Sequence, residues 1–491
     1  MHFDNLPELE RTENQMRGNR IFPAAFRTAI LLAAILLAAS CVGGPERAPV
    51  PENVPDSALS PREREIRSME SLSDLLSKGD FTAAESRLRA LIAEDPGKNE
   101  YRILLSSVLV SAGKVPEARA AAAEAVSAAP ADPGALMAVV QVERYSGDDK
   151  ALRAALDKVL AVDPANAEAL AAYGDSWYAG KNYTKAEELY RKSVASDPQN
   201  LSGLLGLGRT LLRRDKPADA ELVLNQAVQS HPASSQARAD RSRVLYRRGK
   251  YAESLSDLDE AVRLDPAVAW YRIERGRFRM DLGRLDEARA DFDEAIRLDP
   301  DYFLPYVYRA GMLEQAGRDE ESRADYRKIT ALYPDYWYAF ESIGVTSFRL
   351  GDFPAAREGF EKALSYSPGR MEYGILAVIS AYRAGQDAEG KALAARYLAR
   401  VSRETHNLHW LILRLLQDRN DAVSELETKI PAERSLDTRA EMLFYLGQYW
   451  MIQGKASLGA RYLLLVKDMG REGILEHRLA EKELERISPN P

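Results

Sequence analysis

The stretch from Ala167 to Asn200 reads AEALAAYGDSWYAGKNYTKAEELYRKSVASDPQN, and its pattern decides the fold. Leu170, Gly174 and Trp177 recur at helical spacing in its first half, and a second helical pattern fills the other half. Pro198 follows, and it ends the second helix because proline lacks an amide hydrogen and clashes with the preceding turn. The stretch therefore predicts two amphipathic helices and a stop.

The same 34-residue repeat recurs without insertion or deletion over residues 65–370, which gives nine repeats in register. A proline marks the frame of each repeat: Pro96, Pro130, Pro164, Pro198, Pro232, Pro266, Pro300, Pro334 and Pro368. A fixed period of this length is typical of an all-α solenoid, in which each repeat buries its apolar face against its neighbours.

Within each repeat, positions are numbered from Glu65, which is position 1 of the first repeat. Positions 8 and 20 are small in most repeats, as Gly174 and Ala186 are in the fourth, whereas the third repeat has Leu152 at position 20. Small side chains on facing stripes let two helices approach closely, and larger residues at positions 7, 11 and 24 fill the space around them. Position 15 is mostly glycine, the residue that tolerates a left-handed backbone at a helix end.

This small–large pattern with a terminal proline resembles the tetratricopeptide repeat (TPR) family over residues 65–370. The resemblance implies an all-α, right-handed superhelix of helix-turn-helix repeats. It also implies that the first helices line a concave groove, which in this family usually binds extended peptides or partner helices.

The repeat pattern weakens towards the C-terminus. We expect divergent TPR-like helix pairs over 371–471, and a charged capping helix with a tail over 472–491, whose polar outer face stops further stacking. The Pro-rich segment 42–64 has no helical period and is predicted to be an extended tether. No room is left for a separate catalytic domain.

The N-terminal segment 1–41 has the pattern of a signal peptide. Arg27 and other arginines precede the short apolar run Thr28–Ala39, which small residues follow. The sequence Leu37-Ala38-Ala39-Ser40-Cys41 resembles a bacterial lipoprotein signal, and this resemblance implies that Cys41 is lipidated. An ordinary signal peptide with an incidental cysteine is the alternative, and translation from Met16 also fits the pattern. Either way the sequence predicts export, and the lipoprotein signal predicts anchoring at the bacterial cell envelope.

Composition excludes several classes of function. A formal charge of −7 and a pI of about 5.6 argue against broad nucleic-acid binding. A single cysteine excludes an internal disulfide framework and a multi-cysteine metal site. No phosphate-binding glycine loop or zinc-protease motif occurs, and His406 and His409 have no third ligand nearby. We therefore predict neither a cofactor nor a metal site nor an enzyme.

Repeats six, seven and eight share an arginine at position 7 and an aspartate at position 23, which the other six repeats lack. An arginine within a packed stripe is costly without a partner, so the pattern predicts structural ion pairs between the two helices, within a repeat or to its neighbour. The residues are Arg241, Asp257, Arg275, Asp291, Arg309 and Asp325.

A second charged stripe lies at positions 9 and 13, one helical turn apart on the face of the first helix away from its partner. It consists of Arg209, Arg213, Arg243, Arg247 and Arg277, with Tyr178, Tyr246, Trp270 and Tyr338 beside it. Guanidinium groups bind carboxylates in bidentate fashion and aromatic rings provide anchoring area, so the stripe predicts a site for an acidic peptide, a C-terminal carboxylate or another anion. The alternative is a solvated polar face that nearby acids such as Asp175 and Asp281 neutralise.

These patterns favour a non-enzymatic scaffold or adaptor that binds protein or peptide partners at the cell envelope. One alternative is the ligand-binding component of an envelope transport system. Another is an assembly factor for outer-membrane, pilus or cell-wall machinery. An enzyme, or the accessory arm of one, would need clustered buried carboxylates, and the sequence points to none.

Overall fold

The computed structural model of the chain describes residues 59–418 and 422–487. All regular secondary structure in these two ranges is α-helical, and no helix there is both long and apolar enough to cross a bilayer. The predicted signal peptide, Cys41 and most of the predicted tether lie outside the described residues. The described part of the chain thus has the predicted all-α repeat architecture.

The chain divides into two compact units, Met1–Leu264 and Asp265–Pro491. The described helices of the N-terminal unit are α1 (Pro61–Ser77), α2 (Phe81–Glu94), α3 (Asn99–Ser111), α4 (Val115–Ala128), α5 (Pro133–Ser146), α6 (Asp149–Val162), α7 (Ala167–Ala179), α8 (Tyr183–Ser196), α9 (Leu201–Arg213), α10 (Pro217–Ser230), α11 (Ser235–Arg247) and α12 (Tyr251–Leu264).

The C-terminal unit continues the alternation of first and second helices. Its described helices are α13 (Ala269–Asp281), α14 (Leu285–Leu298), α15 (Leu304–Gln315), α16 (Asp319–Leu332), α17 (Tyr338–Leu350), α18 (Phe353–Tyr366), α19 (Met371–Arg383), α20 (Asp387–Leu398), α21 (Asn407–Asp418), α22 (Ala422–Ala432), α23 (Leu436–Ile452), α24 (Ala456–Asp468) and α25 (Leu475–Ile487). The segment 371–471 holds three helix pairs, α19 to α24.

Close approach of the two helices in a repeat depends on a small residue at position 8. In repeat 4, a methyl group on Gly174 would lie only 2.6 Å from the ring of Tyr190, which occupies position 24. A methyl group on Gly208 would lie 2.6 Å from Leu224, again at position 24. The large residue at position 24 therefore fills the space that the small residue at position 8 leaves, as the sequence pattern predicts.

The turn between the two helices needs a left-handed backbone at position 15. Seven of the nine repeats place glycine there with φ between 70° and 81°: Gly79, Gly113, Gly147, Gly249, Gly283, Gly317 and Gly351. Repeats 4 and 5 use Lys181 and Asp215 instead, with φ of 60° and 57°. These two residues adopt a conformation that costs a residue with a side chain about 1–2 kcal/mol.

Ion pairs at position 21 join neighbouring repeats, a feature that the sequence did not reveal. Arg119 on α4 donates two hydrogen bonds of 2.7 Å to the carboxylate of Glu143 on α5. Glu221 on α10 accepts a hydrogen bond of 2.8 Å from Lys250 and is also paired with Arg248, both in the turn that follows α11. Such pairs fix the register of one repeat on the next.

The first helix begins earlier than predicted. Helix α1 begins at Pro61, within the predicted tether 42–64, because the local sequence is a complete helix start. The Ser60 side chain accepts a hydrogen bond from the Glu63 amide, and the Glu63 carboxylate accepts one of 2.8 Å from the Ser60 amide. Proline is favoured at the first helical position, where its missing amide hydrogen costs nothing. The predicted boundary of the tether at residue 64 is therefore too late, because the helix begins at Pro61.

Helix α25 lies where a terminal cap is predicted, and its exposed residues Glu481 and Glu485 are charged, but it buries more of its surface than a cap would. The helix packs on the last pair, as a cap would, but it buries Leu475, Glu476, Leu479, Ala480 and Glu483, together with His477. At 100° per residue these positions cover more than half of the helix circumference. A cap on the end of a stack would bury a single face, so α25 lies between neighbours on several sides.

Candidate functional site

The predicted arginine–aspartate pairs are present, and each forms within one repeat. Arg241 binds Asp257 through two hydrogen bonds of 2.7 Å, and Arg309 binds Asp325 through bonds of 2.7 and 2.8 Å. The three predicted aspartates are almost completely buried. These pairs join the first helix of a repeat to its second helix, so they neutralise charge inside the packing interface.

In repeat 7, the aspartate of the pair binds a second arginine as well. Asp291 accepts a bond of 2.5 Å from Arg275 and another of 2.7 Å from Arg279. In repeat 8, burial raises the pKa of Asp325, although the Arg309 guanidinium opposes this shift. Arg309 also reaches Asp293 on the preceding repeat at 2.5 Å, which adds a link between repeats.

Helices α9 and α11 carry four arginines of the predicted stripe, and we call the surface that they form the arginine face: Arg209, Arg213, Arg243 and Arg247. Two of its members share one buried carboxylate. Nε of Arg209 donates to Asp240 at 2.6 Å, and Arg243 donates to the other oxygen of Asp240 at 2.9 Å. Asp240 is 3% exposed, so these two arginines hold an internal charge and join α9 to α11.

The other two members of the arginine face differ in environment. Arg213 and Arg247 both lie at position 13, and both side chains are exposed. Arg247 contacts Asp215 at 3.3 Å, in a pair whose two side chains are 67% and 80% exposed. Exposed pairs of this kind contribute about 0–1 kcal/mol, so a carboxylate from a partner can replace Asp215 at little cost.

Asp175 occupies position 9 of repeat 4, equivalent to Arg209 and Arg243. Its carboxylate accepts a hydrogen bond of 2.6 Å from the Tyr190 hydroxyl on α8. Although Asp175 is partly open to solvent, the protein atoms around its carboxyl displace water and raise its pKa above the ordinary value. Asp240 therefore neutralises the arginines directly, whereas Asp175, which the sequence suggested for this role, is hydrogen-bonded to a tyrosine.

The two predicted tyrosines of the N-terminal unit lie at the ends of first helices. The Tyr178 ring lies 5.3 Å from that of Tyr183, and the Tyr246 ring lies 5.1 Å from that of Tyr251, centroid to centroid. Both are half-buried, so each presents part of a ring beside the arginine face. These contacts hold the rings in place and leave aromatic area for a ligand.

Three predicted site residues belong to the C-terminal unit, and one of them, Trp270, differs from expectation. Trp270 is 8% exposed, so it packs inside and is wrong as a surface anchor. Arg277 lies 3.5 Å from Glu274 and its guanidinium stacks 4.6 Å above the ring of Phe278. Tyr338 is half-buried, and its ring stacks on Trp337 at 3.8 Å.

Sequence reasoning missed the acids at position 6, although a signal was present. Asp240 and Glu274 occupy this position in repeats 6 and 7, three residues before the arginines of position 9. On a helix such residues lie on the same face, so an acid at position 6 predicts an ion pair with position 9. The hydrogen bond from Arg209 to Asp240 spans two repeats and depends on how the repeats stack.

In the C-terminal unit, positions 12 and 13 of the first helices bind α25. We call the surface formed by Glu314, Phe348, Arg349, Arg383 and Tyr445 the C-terminal groove. Four side chains of α25 make hydrogen bonds to it. From α25, Arg478 donates to the Glu314 carboxylate at 3.0 Å, and Arg486 donates to the carbonyl oxygens of Phe348 and Arg349 at 3.2 and 2.8 Å. In the other direction, Arg383 donates to the Glu483 carboxylate at 2.6 Å, and the Tyr445 hydroxyl donates to Glu476 at 2.5 Å.

No cluster with metal-binding potential occurs among the residues that the structure describes, where no three histidine, cysteine, aspartate or glutamate side chains converge. The rings of His406 and His409 lie 6.2 Å apart, and His409 is 3.6 Å from Glu441. The chemistry that the described surfaces offer is hydrogen bonding, ion pairing and aromatic contact.

Comparisons with known proteins agree with this architecture. The family model of the tetratricopeptide repeat matches residues 72–133, 149–200, 205–269 and 273–337. Among solved structures, pilF of Pseudomonas aeruginosa is 20% identical, and the match covers 45% of this chain and 99% of that one, with a TM-score of 0.39.

Two further solved structures are similar to parts of the chain. YrrB, described as a TPR protein with an unusual peptide-binding site, is 21% identical over 38% of this chain and 97% of its own, with a TM-score of 0.31. A tetratricopeptide repeat protein of Parabacteroides merdae is 14% identical over 65% of this chain and 99% of its own, with a TM-score of 0.32. No curated protein matches the chain.

Proposed function

Because this chain is built from tetratricopeptide repeats, we propose that it is a non-enzymatic scaffold that holds protein or peptide partners at the bacterial cell envelope. A lipid on Cys41 anchors it there, and the arginine face of α9 and α11 binds an acidic helix or an acidic extended segment. The supporting features are the lipoprotein-type sequence before Cys41 and the exposed charge at position 13.

One observation carries the binding proposal: the same repeat positions already bind a helix elsewhere in this chain. In the C-terminal unit, Glu314 and Phe348 at position 12, and Arg349 and Arg383 at position 13, contact α25. In the N-terminal unit, position 12 carries a half-buried tyrosine in repeats 4 and 6, and position 13 carries an exposed arginine in repeats 5 and 6. Equivalent positions on repeated helices present equivalent surfaces, so this stripe is suited to a ligand that runs across the first helices.

The sign of the charge favours an acidic ligand. Arg209 and Arg243 pair with the buried Asp240, whereas Arg213 and Arg247 at position 13 are exposed residues. Guanidinium groups make short, bidentate bonds to carboxylates, and half-buried tyrosines add contact area at low entropic cost. Residues at position 13 are therefore the recognition groups, and Asp240 keeps the underlying helices aligned.

The test uses two helical peptides that differ only in carrying glutamate or glutamine on one face. We expect the glutamate peptide to bind the full chain more tightly, and the double variant Arg213→Glu/Arg247→Glu to weaken that binding at least about tenfold, since hydrogen bonds to charged groups contribute about 1.5–3 kcal/mol each. Fluorescence anisotropy measures both dissociation constants.

The matched control reverses two other arginines, Arg263→Glu and Arg297→Glu, which are 68% and 67% exposed and paired with Glu260 and Glu294. It changes the net charge of the chain without touching the arginine face. Equal loss of binding in the control and the double variant would show that only overall charge matters. Unchanged binding in the double variant would remove the proposed site.

A further inference from the structure

Helix α25 occupies the C-terminal groove in the manner of a bound ligand. Its buried arc includes Leu475 and Leu479, which join the same apolar cluster as Phe348, Phe444 and Tyr445. The helix also lies along the ends of first helices from separate repeats, α15, α17 and α19, as well as on α23. A helix that runs across successive repeats contacts residues that differ from one repeat to the next, so several of its side chains are recognised separately.

Polar side chains of α25 each bind a specific residue of the groove. Glu476 and Glu483, seven residues apart, meet Tyr445 and Arg383. Arg478 reaches Glu314, whose other oxygen accepts a bond from Tyr326.

At the other end of α25, Arg486 donates to the last turn of α17, where backbone carbonyls lack partners within the helix. Together these contacts recognise the pattern Glu-x-Arg-Leu-x-x-x-Glu-x-x-Arg, which spans residues 476 to 486 of α25.

The buried surface of α25 is unusually polar for a permanent part of a core. Glu476, His477 and Glu483 are 2%, 3% and 1% exposed. Within the described residues, Nδ1 of His477 and Nε2 of Gln448 make no hydrogen bond. Buried charges stabilise a fold less than apolar residues of the same volume would, and unpaired buried groups weaken an interface. The interface is therefore specific in its contacts and limited in its stability.

The connection to α24 permits movement of α25 as a unit. Helix α24 ends at Asp468, and the exposed residues 471–473 follow Gly470, whose φ of 60° makes a left-handed turn. Arg471 on this segment pairs with Asp437 in an exposed contact of 2.6 Å. Because the segment has little buried surface, α25 can leave the groove without unfolding α24.

From these contacts we propose that the C-terminal groove is a helix-binding site, that α25 is its intramolecular ligand, and that a helix of a partner protein with the same spacing of leucine, glutamate and arginine displaces it. This site lies in the C-terminal unit and does not depend on the arginine face, so the two proposals can fail separately. The chain then exposes the groove only when such a partner is present.

The test measures binding of a fluorescent peptide with the sequence of residues 472–487 to the full chain. The double variant Arg478→Glu/Arg486→Glu weakens α25 and leaves every groove residue intact. We expect this variant to bind the peptide at least tenfold more tightly than the unmodified chain, because its groove is open for a larger fraction of time. Glu485→Gln is the matched control, since this side chain of α25 is 66% exposed, and it should bind like the unmodified chain.

A charge exchange then locates the peptide. In the double variant Glu314→Arg/Arg486→Glu, Arg478 of α25 faces a like charge, so α25 is weakened and we expect this chain to bind a peptide carrying Arg478→Glu more tightly than the natural sequence. A folded variant that binds neither peptide, or that binds a scrambled peptide equally, overturns the proposal. Concentration-dependent dimers of the weakened variant would assign the groove to a second copy of the chain and overturn the separate partner.

Hydrogen exchange on the unmodified chain gives a result that does not depend on the folding of any variant. We expect amides of α25 to exchange at least tenfold faster than those of α19 and α23, since α25 opens while the groove helices stay folded. Equal protection of α25, α19 and α23 would show that the helix leaves only on global unfolding and would overturn the proposal.

Discussion

At the scale of single residues, Lys181 and Asp215 occupy a turn conformation that glycine adopts in the other seven in-frame repeats. Lys181 gives the clearer test, because its side chain is exposed whereas Asp215 contacts Arg247. The left-handed backbone costs lysine about 1–2 kcal/mol in the folded state. Glycine removes that cost, but its greater conformational entropy stabilises the unfolded chain by about 0.4–1 kcal/mol. We therefore expect Lys181→Gly to stabilise the chain by about 0.5–1 kcal/mol in urea unfolding followed by circular dichroism.

The matched control for this prediction is Gly249→Lys, which places a side chain at the equivalent turn of repeat 6, where φ is 74°. No atom lies within 4 Å of the position that its Cβ would occupy, so any loss of stability comes from the backbone alone. The control should destabilise the chain. A loss of stability in Lys181→Gly would contradict the argument.

The pair of Arg241 and Asp257 gives a second test at this scale. Removing one partner leaves the other charge buried, whereas removing both leaves an apolar contact. Because a fifth of the Arg241 side chain remains exposed, we expect Arg241→Leu to cost on the order of 2–3 kcal/mol. The double variant Arg241→Leu/Asp257→Leu should recover most of this loss. A double-mutant cycle measures the coupling, and additive effects would show that the pair contributes nothing.

At the scale of the helix, the sequence predicts that α25 exists but does not reveal where it packs. Alternating leucine and charge over 472–491 indicates an amphipathic helix, and the structure contains one over Leu475–Ile487. The same pattern suits a terminal cap and a helix that lies across several repeats. Only the positions of Glu314, Arg383 and Tyr445, which are far away in sequence, distinguish the two. Contacts between distant residues leave no local period, so they could not be predicted.

Docking of α25 should depend on pH through Glu476. Burial raises the pKa of Glu476 to about 8, the carboxylates of Glu441 and Glu372 add to the shift, and the hydrogen bond from Tyr445 opposes it. In the unfolded chain this carboxyl titrates near 4.5, so between these values the folded state binds a proton that the unfolded state has lost. The stability that Glu476 contributes is therefore fully present below about pH 4.5 and is lost as pH rises through about 8.

We expect Glu476→Gln to remove this dependence, because glutamine keeps an acceptor for Tyr445 and does not ionise. Hydrogen exchange of α25 amides at pH 7 and pH 9, corrected for the intrinsic effect of pH, measures the change. The unmodified chain should show a larger loss of protection at pH 9 than the variant. The same loss in both chains would assign the titration to another group.

At the scale of the whole molecule, the repeat frame could be predicted because each repeat carries its own signal. The proline at position 32, the small residue at position 8 and the turn at position 15 are local features that recur. Pairing between repeats could not be predicted in the same way. The pattern predicts Arg209 on the charged stripe of a first helix, but it does not predict the bond to Asp240, which depends on the stacking of α9 on α11. The arginine face is therefore smaller than the sequence suggests, and position 13 carries its exposed charge.

The proposed anchoring at an envelope membrane depends on Cys41, which lies outside the described residues and is the only cysteine in the sequence. Because no other thiol is present, Cys41→Ser removes every site for thioether or thioester attachment of lipid. Growth with a fatty-acid probe should label the unmodified chain, which should fractionate with membranes, whereas Cys41→Ser should be unlabelled and released from them. An unlabelled unmodified chain whose mature N-terminus is not Cys41 would favour the ordinary signal peptide. The proposed scaffold would then act without a lipid that holds its binding surfaces close to the bilayer.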